Sequence, residues 1–312
     1  MNDVGSPDRL VYRQFVRDSR RWDNFPFRSG DIVISTATKC GTTWMQMICG
    51  LLILQTPTFA ASLDRISPWL DMLTRPLDDV LSDLEGQTHR RFIKTHVPLD
   101  GLPIDDRVTY IGVGRDPRDV AMSWDNHQAN QDRPALRRAR DAALAGQEMP
   151  AEGPTPADRA SDPKDRFWIW VDDPTPVTQA ACTLDLTLHH LQTFWDVRDE
   201  PNIVLMHYDD VRGDLDGEMR GLSDRLGIPV DEQRWPTLVQ AATLDAMRAR
   251  ADQLVPNVTE KIWHDNHEFF HRGSSGQWRD LLDPADLIRY RRRVDELATP
   301  DLVAWVHHGA PL

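Results

Sequence analysis

The sequence predicts an α/β fold: a single three-layer domain built on a mostly parallel central sheet. Three observations support this. Four short apolar runs rich in β-branched residues are spread along the chain, each the length of one buried strand. Longer helical stretches separate them, as the crossover between parallel strands requires. The 312 residues can bury one sizeable core, and no internal repeat or heptad divides them.

The elements follow in order. The chain opens with about twenty polar residues punctuated by Arg9, Arg13, Arg17, Arg20 and Arg21, at the start of an N-terminal segment 1–30. They are expected to form an N-terminal arm, as a short surface helix or a loosely held segment, with the main domain spanning 31–312. Gly30-Asp31 introduces a strand over 32–36, and a tight turn over 37–41 leads into a helix from Thr42 or Thr43 to about Leu54, ahead of Pro57. A second strand covers 91–96 and stops before Pro98. A third covers 108–113 and ends in charge at Arg115-Asp116, with Pro117 suited to the first turn of the next helix. A helix over Leu184–Trp195 precedes the fourth strand, 202–206, and a helix over Leu215–Leu226 ends at Gly227. Residues 141–165 are rich in Ala, Pro, Gly and Asp and predict a surface excursion. The polar and aromatic stretch 252–280 predicts a lid or binding loop.

Composition excludes several classes. With 36 basic against 49 acidic residues, a formal charge of -13 argues against a nucleic-acid partner. The longest apolar run, 48–54, is far short of the roughly 20 residues of a transmembrane segment, and no apolar signal segment opens the chain. Cys40, Cys49 and Cys182 are too few and too scattered for a disulfide scaffold or a thiolate zinc site. A reducing cytoplasm is the expected compartment. His264, His267 and His271 have metal-like spacing but lack a convincing fourth ligand, so no metal site is expected.

The turn Ala37-Thr38-Lys39-Cys40-Gly41 has the mechanics of an anion cradle. A glycine permits a tight turn, a helix N-terminus follows, and Lys39, Thr42 and Thr43 add a charge and two hydroxyls. The plainer alternative is an ordinary helix start with a solvated lysine. The string is neither a Walker A sequence nor G-x-G-x-x-G. His96 and Arg115 each stand just past a strand end, where open α/β sheets place ligands. His96 could be a general base or a hydrogen-bonded loop residue. Arg115 could grip phosphate oxygens or pair with a carboxylate. Ser123 lies two helical turns beyond Arg115, where it could face the same ligand.

Lys39-Cys40-Gly41-Thr42-Thr43-Trp44 closely resembles the 5'-phosphosulfate-binding loop, P-K-S-G-T-T-W, of the cytosolic-type sulfotransferases, here a bacterial member. Those enzymes take a sulfuryl group from 3'-phosphoadenosine 5'-phosphosulfate (PAPS) and release 3'-phosphoadenosine 5'-phosphate (PAP). Thr38 replaces the usual proline. Cys40 replaces serine, losing a hydroxyl donor and introducing a thiol. Lys94-Thr95-His96-Val97-Pro98 is similar to the family's K-T-H-x-P segment, and the string from Arg115 to Ser123 to its 3'-phosphate motif, R-x-P-x-D-x-x-x-S. His207-Tyr208-Asp209-Asp210 resembles its Y-E-D segment. His271-Arg272-Gly273-Ser274-Ser275-Gly276-Gln277-Trp278-Arg279 resembles its last motif, with His271 in place of one basic residue.

The resemblance implies a P-loop-like phosphosulfate loop and PAPS-dependent sulfuryl transfer without a metal. It names His96 as general base, Lys39 and Lys94 as charge stabilisers, and Lys39, Cys40, Gly41, Thr42 and Thr43 as the donor cradle. Trp44 and Tyr208 would flank adenine, while Arg115, Ser123, His271, Arg272 and Gly273 would hold the 3'-phosphate. Asp119 is expected to be structural. The stretch 59–73, with Phe59 and Trp69, together with Trp124 and His127 is the expected acceptor pocket, whose apolar character points to a hydrophobic alcohol, a phenol or a lipid-linked sugar. The family often forms homodimers, but the sequence has no good match to its C-terminal dimer segment. Two rival readings stay open: a nucleotide-dependent phosphotransferase, with Asp209 or Asp210 holding Mg²⁺, and a PAP-binding module without catalysis.

Overall fold

A computed structural model describes residues 9–145, 160–270 and 273–307. Among these residues six strands occur: β1 (Arg13–Gln14), β2 (Arg17–Asp18), β3 (Ile32–Ser35), β4 (Phe92–Thr95), β5 (Thr109–Gly114) and β6 (Ile203–His207). The last four form one parallel sheet in the order β4-β3-β5-β6. Ile32 aligns with Phe92 on one side and with Thr109 on the other, and Tyr110 aligns with Ile203. Each expected strand of this sheet is present to within about a residue.

Alternation along the strands separates the layers. Ile32, Ile34 and Phe92 join the cluster containing Met47, Ile48 and Leu51 of helix α1 (Thr42–Leu54). Val33, Ile93 and Tyr110 face the other way, against Leu186 and Phe194 of the helix Leu184–Trp195. Both faces are covered, so the strands are apolar throughout. Gly227, with φ 63, ends the helix Leu215–Leu226 in the left-handed conformation.

The chain leaves β3 for β4 on one side, and β5 lies on the other. The carboxyl ends of β3 and β5 therefore flank the point where strand order reverses, the usual crevice of such sheets.

The N-terminal segment differs from the expectation of a surface helix or a loose arm. β1 and β2 form an antiparallel hairpin, and Tyr12, Arg17 and Trp22 are fully buried. Arg13 and Arg20 both pair with Asp18, whose side chain also accepts from the N–H of Arg20 and so starts the turn Ser19–Trp22. Acidic and carbonyl partners absorb the arginines that made the segment look solvated.

The stretch 252–280 holds a short helix, Ala251–Leu254, and two 3₁₀ turns, His267–Phe270 and Gln277–Asp280. Val255, Ile262, Phe270 and Trp278 anchor it in the core. Residues 146–159, most of the expected surface excursion, lie outside the described residues. All three cysteines are free and buried. No described helix is long and apolar enough to cross a membrane.

Candidate active site

A cavity of about 1220 Å³ opens at the carboxyl ends of the sheet, lined by the turn after β3, the ends of β4 and β5, the hairpin and the stretch 252–280. The turn is shaped by two left-handed residues, Lys39 (φ 69) and Gly41 (φ 98). The lysine conformation costs about 1–2 kcal/mol. At Gly41 a Cβ would lie 3.0 Å from the Tyr208 ring, so both φ and space require glycine. Gly41 is also the N-cap of α1 and offers no side chain to its first amides, which begin at Thr42 on the cavity wall. A helix N-terminus left open in this way attracts an anion. Thr36 Oγ1 and Thr42 Oγ1, 2.5 Å apart, tie the strand end to the helix start.

Cys40 does not belong to the cavity wall. Its N–H donates to the Ala37 carbonyl (3.2 Å), and its side chain packs with Val120, Ala121 and Cys182 beneath the turn. Burial pushes the thiol up to about 12, so it is a small core residue and not a reactive group.

Lys39, Lys94 and His96 all line the cavity. Burial, followed by the charge of Arg115, lowers Lys39 to about 8. Burial, followed by the charge of Lys39, lowers Lys94 to about 7. Cations held together and away from water make the site hungry for negative charge. Lys94 Nζ sits 4.2 Å from the Trp69 ring centre, and the Trp69 edge meets the His96 ring at 4.7 Å between centres. The indole thus touches both groups.

His96 is 8% exposed, and its Nδ1 lies 2.8 Å from the Thr36 carbonyl oxygen. Because a carbonyl only accepts, Nδ1 carries the proton and Nε2 keeps a lone pair. Burial first, and then the charges of Lys94 and Arg17, hold the imidazole well below its ordinary range. The ring is neutral and in the tautomer a base needs.

At the other end, Arg115 donates to the Lys39 carbonyl (3.0 Å), and its guanidinium lies 4.2 Å from the Tyr208 ring centre. Its Nε is buried without a partner. Ser123 lines the same cavity from the helix Pro117–Asn130. Trp44 meets Tyr208 edge-on at 5.3 Å and donates its indole N–H to the Ala242 carbonyl (2.8 Å). Gly273 also reaches the cavity wall, with φ 62. His271 and Arg272 lie outside the described residues. The Asp119 carboxylate accepts from the N–H groups of Gly276 and Gln277, pinning the last glycine turn to this helix. Burial, opposed by those bonds, raises Asp119 to about 6.

Of the expected acceptor residues, Trp69, Trp124 and His127 line the cavity. His127 stacks on Trp124 (5.1 Å) and meets Trp263 edge-on (4.8 Å), with Nδ1 3.4 Å from Lys39 Nζ. Phe59 does not line it. Its ring fills the groove over Gly50 of α1, 2.8 Å from where a Cβ would stand, and adds to the core beside Phe92. In its place the structure brings in Phe15, Val16 and Arg17 of the hairpin, Met72, and Trp263 and Phe269 of the late stretch. Met72, Trp263 and Phe269 fall in stretches the sequence marked as pocket or binding loop, whereas Phe15, Val16 and Arg17 carried no signal beyond an apolar pair set among charges. Among the described residues, no group of three or more His, Cys, Asp or Glu side chains could hold a metal ion.

A family model described as "Sulfotransferase domain" matches residues 29–299. The chain belongs to the sulfotransferase family. This sulfotransferase is 43% identical over 311 residues to a glycolipid sulfotransferase of Mycobacterium bovis, covering 97% of this chain and 95% of the relative. A glycolipid sulfotransferase of Mycobacterium tuberculosis is likewise 43% identical, over 310 residues with the same coverage. Among solved structures, a retinol dehydratase with retinol and PAP superposes with a TM-score of 0.66 at 20% identity, covering 89% of this chain and 84% of the other. A mouse sulfotransferase with PAP gives 0.63 at 15% identity, covering 91% and 90%. These structures share its fold. As a member of the family it is an enzyme of sulfuryl transfer to an acceptor hydroxyl.

Proposed function

We propose that this sulfotransferase takes its sulfuryl group from PAPS and delivers it to a hydroxyl of a glycolipid, with His96 as general base. One observation carries the reading: a neutral imidazole with an available Nε2 lone pair shares a cavity with an open helix N-terminus and two charge-starved lysines. PAPS supplies the sulfuryl group already attached to a phosphate that can leave. The residues suit that donor. The left-handed turn and the uncapped amides of α1 fit a 5'-phosphosulfate, the orphaned Arg115 Nε and Ser123 fit a 3'-phosphate, and Trp44 with Tyr208 offers aromatic surface for a base.

His96 Nε2 accepts the proton of the acceptor hydroxyl, while the Nδ1–H bond to Thr36 steadies the growing imidazolium. Lys39, the Thr42 and Thr43 hydroxyls and the first amides of α1 stabilise the charge that collects on the departing phosphate oxygen. Lys94 stands beside them, held on Trp69.

The glycolipid acceptor rests on the two mycobacterial relatives and on the wall that meets it. Phe15, Val16, Trp69, Trp124 and Trp263 offer apolar and aromatic surface in a cavity of about 1220 Å³, above the roughly 300–1,000 Å³ of a single small-molecule site. The phosphotransferase reading is weaker because both carboxylates it could use, Asp209 and Asp210, lie off the cavity wall, and Asp209 accepts from Ser275 Oγ (2.5 Å) and pairs with Arg212 (3.2 Å). The test is a mass-spectrometric screen of PAPS with the protein against glycolipid extracts and small alcohols. The expected result is the mass gain of one added SO₃ group on a glycolipid, retained in EDTA. Transfer confined to small alcohols would refute the acceptor class, and turnover lost in EDTA and restored by Mg²⁺ would revive phosphotransfer.

A further inference from the structure

We propose that Arg17, brought in by the N-terminal hairpin, is a positioning residue that holds His96 in its base-competent placement, so that the hairpin is part of the catalytic machinery. The inference rests on the reading of His96 as the base. It concerns a segment outside the family match, which begins at residue 29.

Arg17 lines the cavity yet is only 1% exposed. Its Nη1 donates to the His96 carbonyl (2.9 Å), its Nη2 to the Ala180 carbonyl (3.4 Å), and its Nε has no partner. Taking a guanidinium out of water is costly, and the two carbonyl oxygens with the attraction of buried Asp71 return only part of that cost. Such a residue is poorly suited to a purely stabilising role. Its location gives it another. The fork fixes the main chain of His96 from the hairpin side, while the Thr36 carbonyl fixes the ring from the end of β3. Held at both points, the ring can only offer Nε2.

The charge has a second effect. His96 faces Lys94 from β4, Arg17 from the hairpin and His190 from the helix Leu184–Trp195, and all three oppose imidazolium formation. Buried Asp71 acts on Arg17 and Lys94, whose charges it partly offsets. Arg17 therefore helps hold the ring neutral, ready to receive a proton.

The experiment compares Arg17→Met and Arg17→Lys with the unaltered protein for PAP affinity, melting temperature and the pH profile of kcat/KM. Arg17→Met removes both fork and charge. Its kcat/KM should fall by roughly tenfold, with PAP affinity within about twofold and the acidic limb moved up by about one pH unit. Arg17→Lys keeps the charge, so its limb should stay in place while its rate falls severalfold. A folded Arg17→Met with the original limb and rate would overturn the inference, as would Arg17→Lys with the original rate. If Arg17→Met does not fold, the His96 ring of the unaltered protein is titrated by ¹⁵N NMR, assigned through His96→Gln. It should show the Nδ1–H tautomer and stay neutral well below the ordinary histidine range, whereas an Nε2–H tautomer titrating near its ordinary pKa of about 6.5 would also overturn the inference. Persistent transfer by His96→Ala would sink the underlying reading as well. Loss of transfer in His96→Ala, with Arg17 variants that match the original, would sink this inference alone.

Discussion

The two ends of the cavity are built by different means. At the proposed donor end, main chain dominates: left-handed Lys39 and Gly41, the open amides of α1, and Arg115 gripping the Lys39 carbonyl at a neighbouring strand end. At the proposed acceptor end, side chains dominate, and they come from separated segments: Phe15 and Arg17, Trp69, Trp124 and His127, Trp263 and Phe269. A backbone cradle requires particular residues at consecutive positions, whereas an aromatic wall can draw its surface from wherever the fold delivers it. Function at one end is fixed by local geometry, and at the other by assembly.

Substitutions test this contrast. The largest loss after His96 is expected from Lys39→Met, which takes a charge from the leaving-group side of the cradle. Turnover should drop roughly 10²–10³-fold, measured as single-turnover transfer, and PAP affinity should fall with it. A loss confined to acceptor KM would place Lys39 at the wrong end. Arg115→Ala should erase most of the preference for PAP over AMP, about tenfold, in calorimetric titrations. Equal affinities in the intact protein would refute the 3'-phosphate assignment.

Protonation provides a third probe. Lys94 near 7 and Lys39 near 8 are depressed by burial and by neighbouring positive charge. A bound dianion reverses the second cause, so both values should rise and the complex should take up a proton. At pH 7.5, PAP binding is expected to absorb roughly half a proton to one proton. Calorimetry in buffers of different ionisation enthalpy measures this, and proton release would contradict the arrangement. In the free protein, the depressed lysines bind fewer protons than the unfolded chain above about pH 7, so their contribution to stability becomes more favourable as pH rises toward the unfolded lysine range.

The acceptor wall predicts smaller, selective effects. Phe15→Ala should raise acceptor KM severalfold and leave PAP affinity unchanged, because one aromatic face is lost from a wall with several. The smallest effect is expected from Cys40→Ser. Its side chain points into the cluster of Val120, Ala121 and Cys182, so PAP affinity should stay within about twofold, while a buried hydroxyl costs about 1 kcal/mol of stability. A tenfold gain in PAP affinity would mean the side chain faces the donor after all.

The same contrast explains what was legible in the sequence. Ile32, Val33 and Ile34 announced a strand buried on both faces, and Gly227 announced a helix end, because each rule depends only on neighbours in the chain. Lys39, Gly41 and Arg115 were legible for the same reason. The hairpin was not: Arg17 looks solvated until the His96 and Ala180 carbonyls arrive from far along the chain. Phe59 misled because a ring beside an apolar run looks like pocket lining, and only the fold shows the groove over Gly50 that it fills. Cys40 misled because its place in the cradle string says nothing about which way its side chain turns.

The most direct test is the His96→Ala protein, assayed for single-turnover sulfuryl transfer at saturating PAPS and glycolipid, with PAP affinity and melting temperature measured on the same preparation. A base that also keeps its neighbours' geometry predicts transfer reduced by at least about a hundredfold, with PAP affinity within a few fold and a folded protein. Near-normal transfer from the folded variant would contradict the role of His96 and, with it, the proposed chemistry of the site.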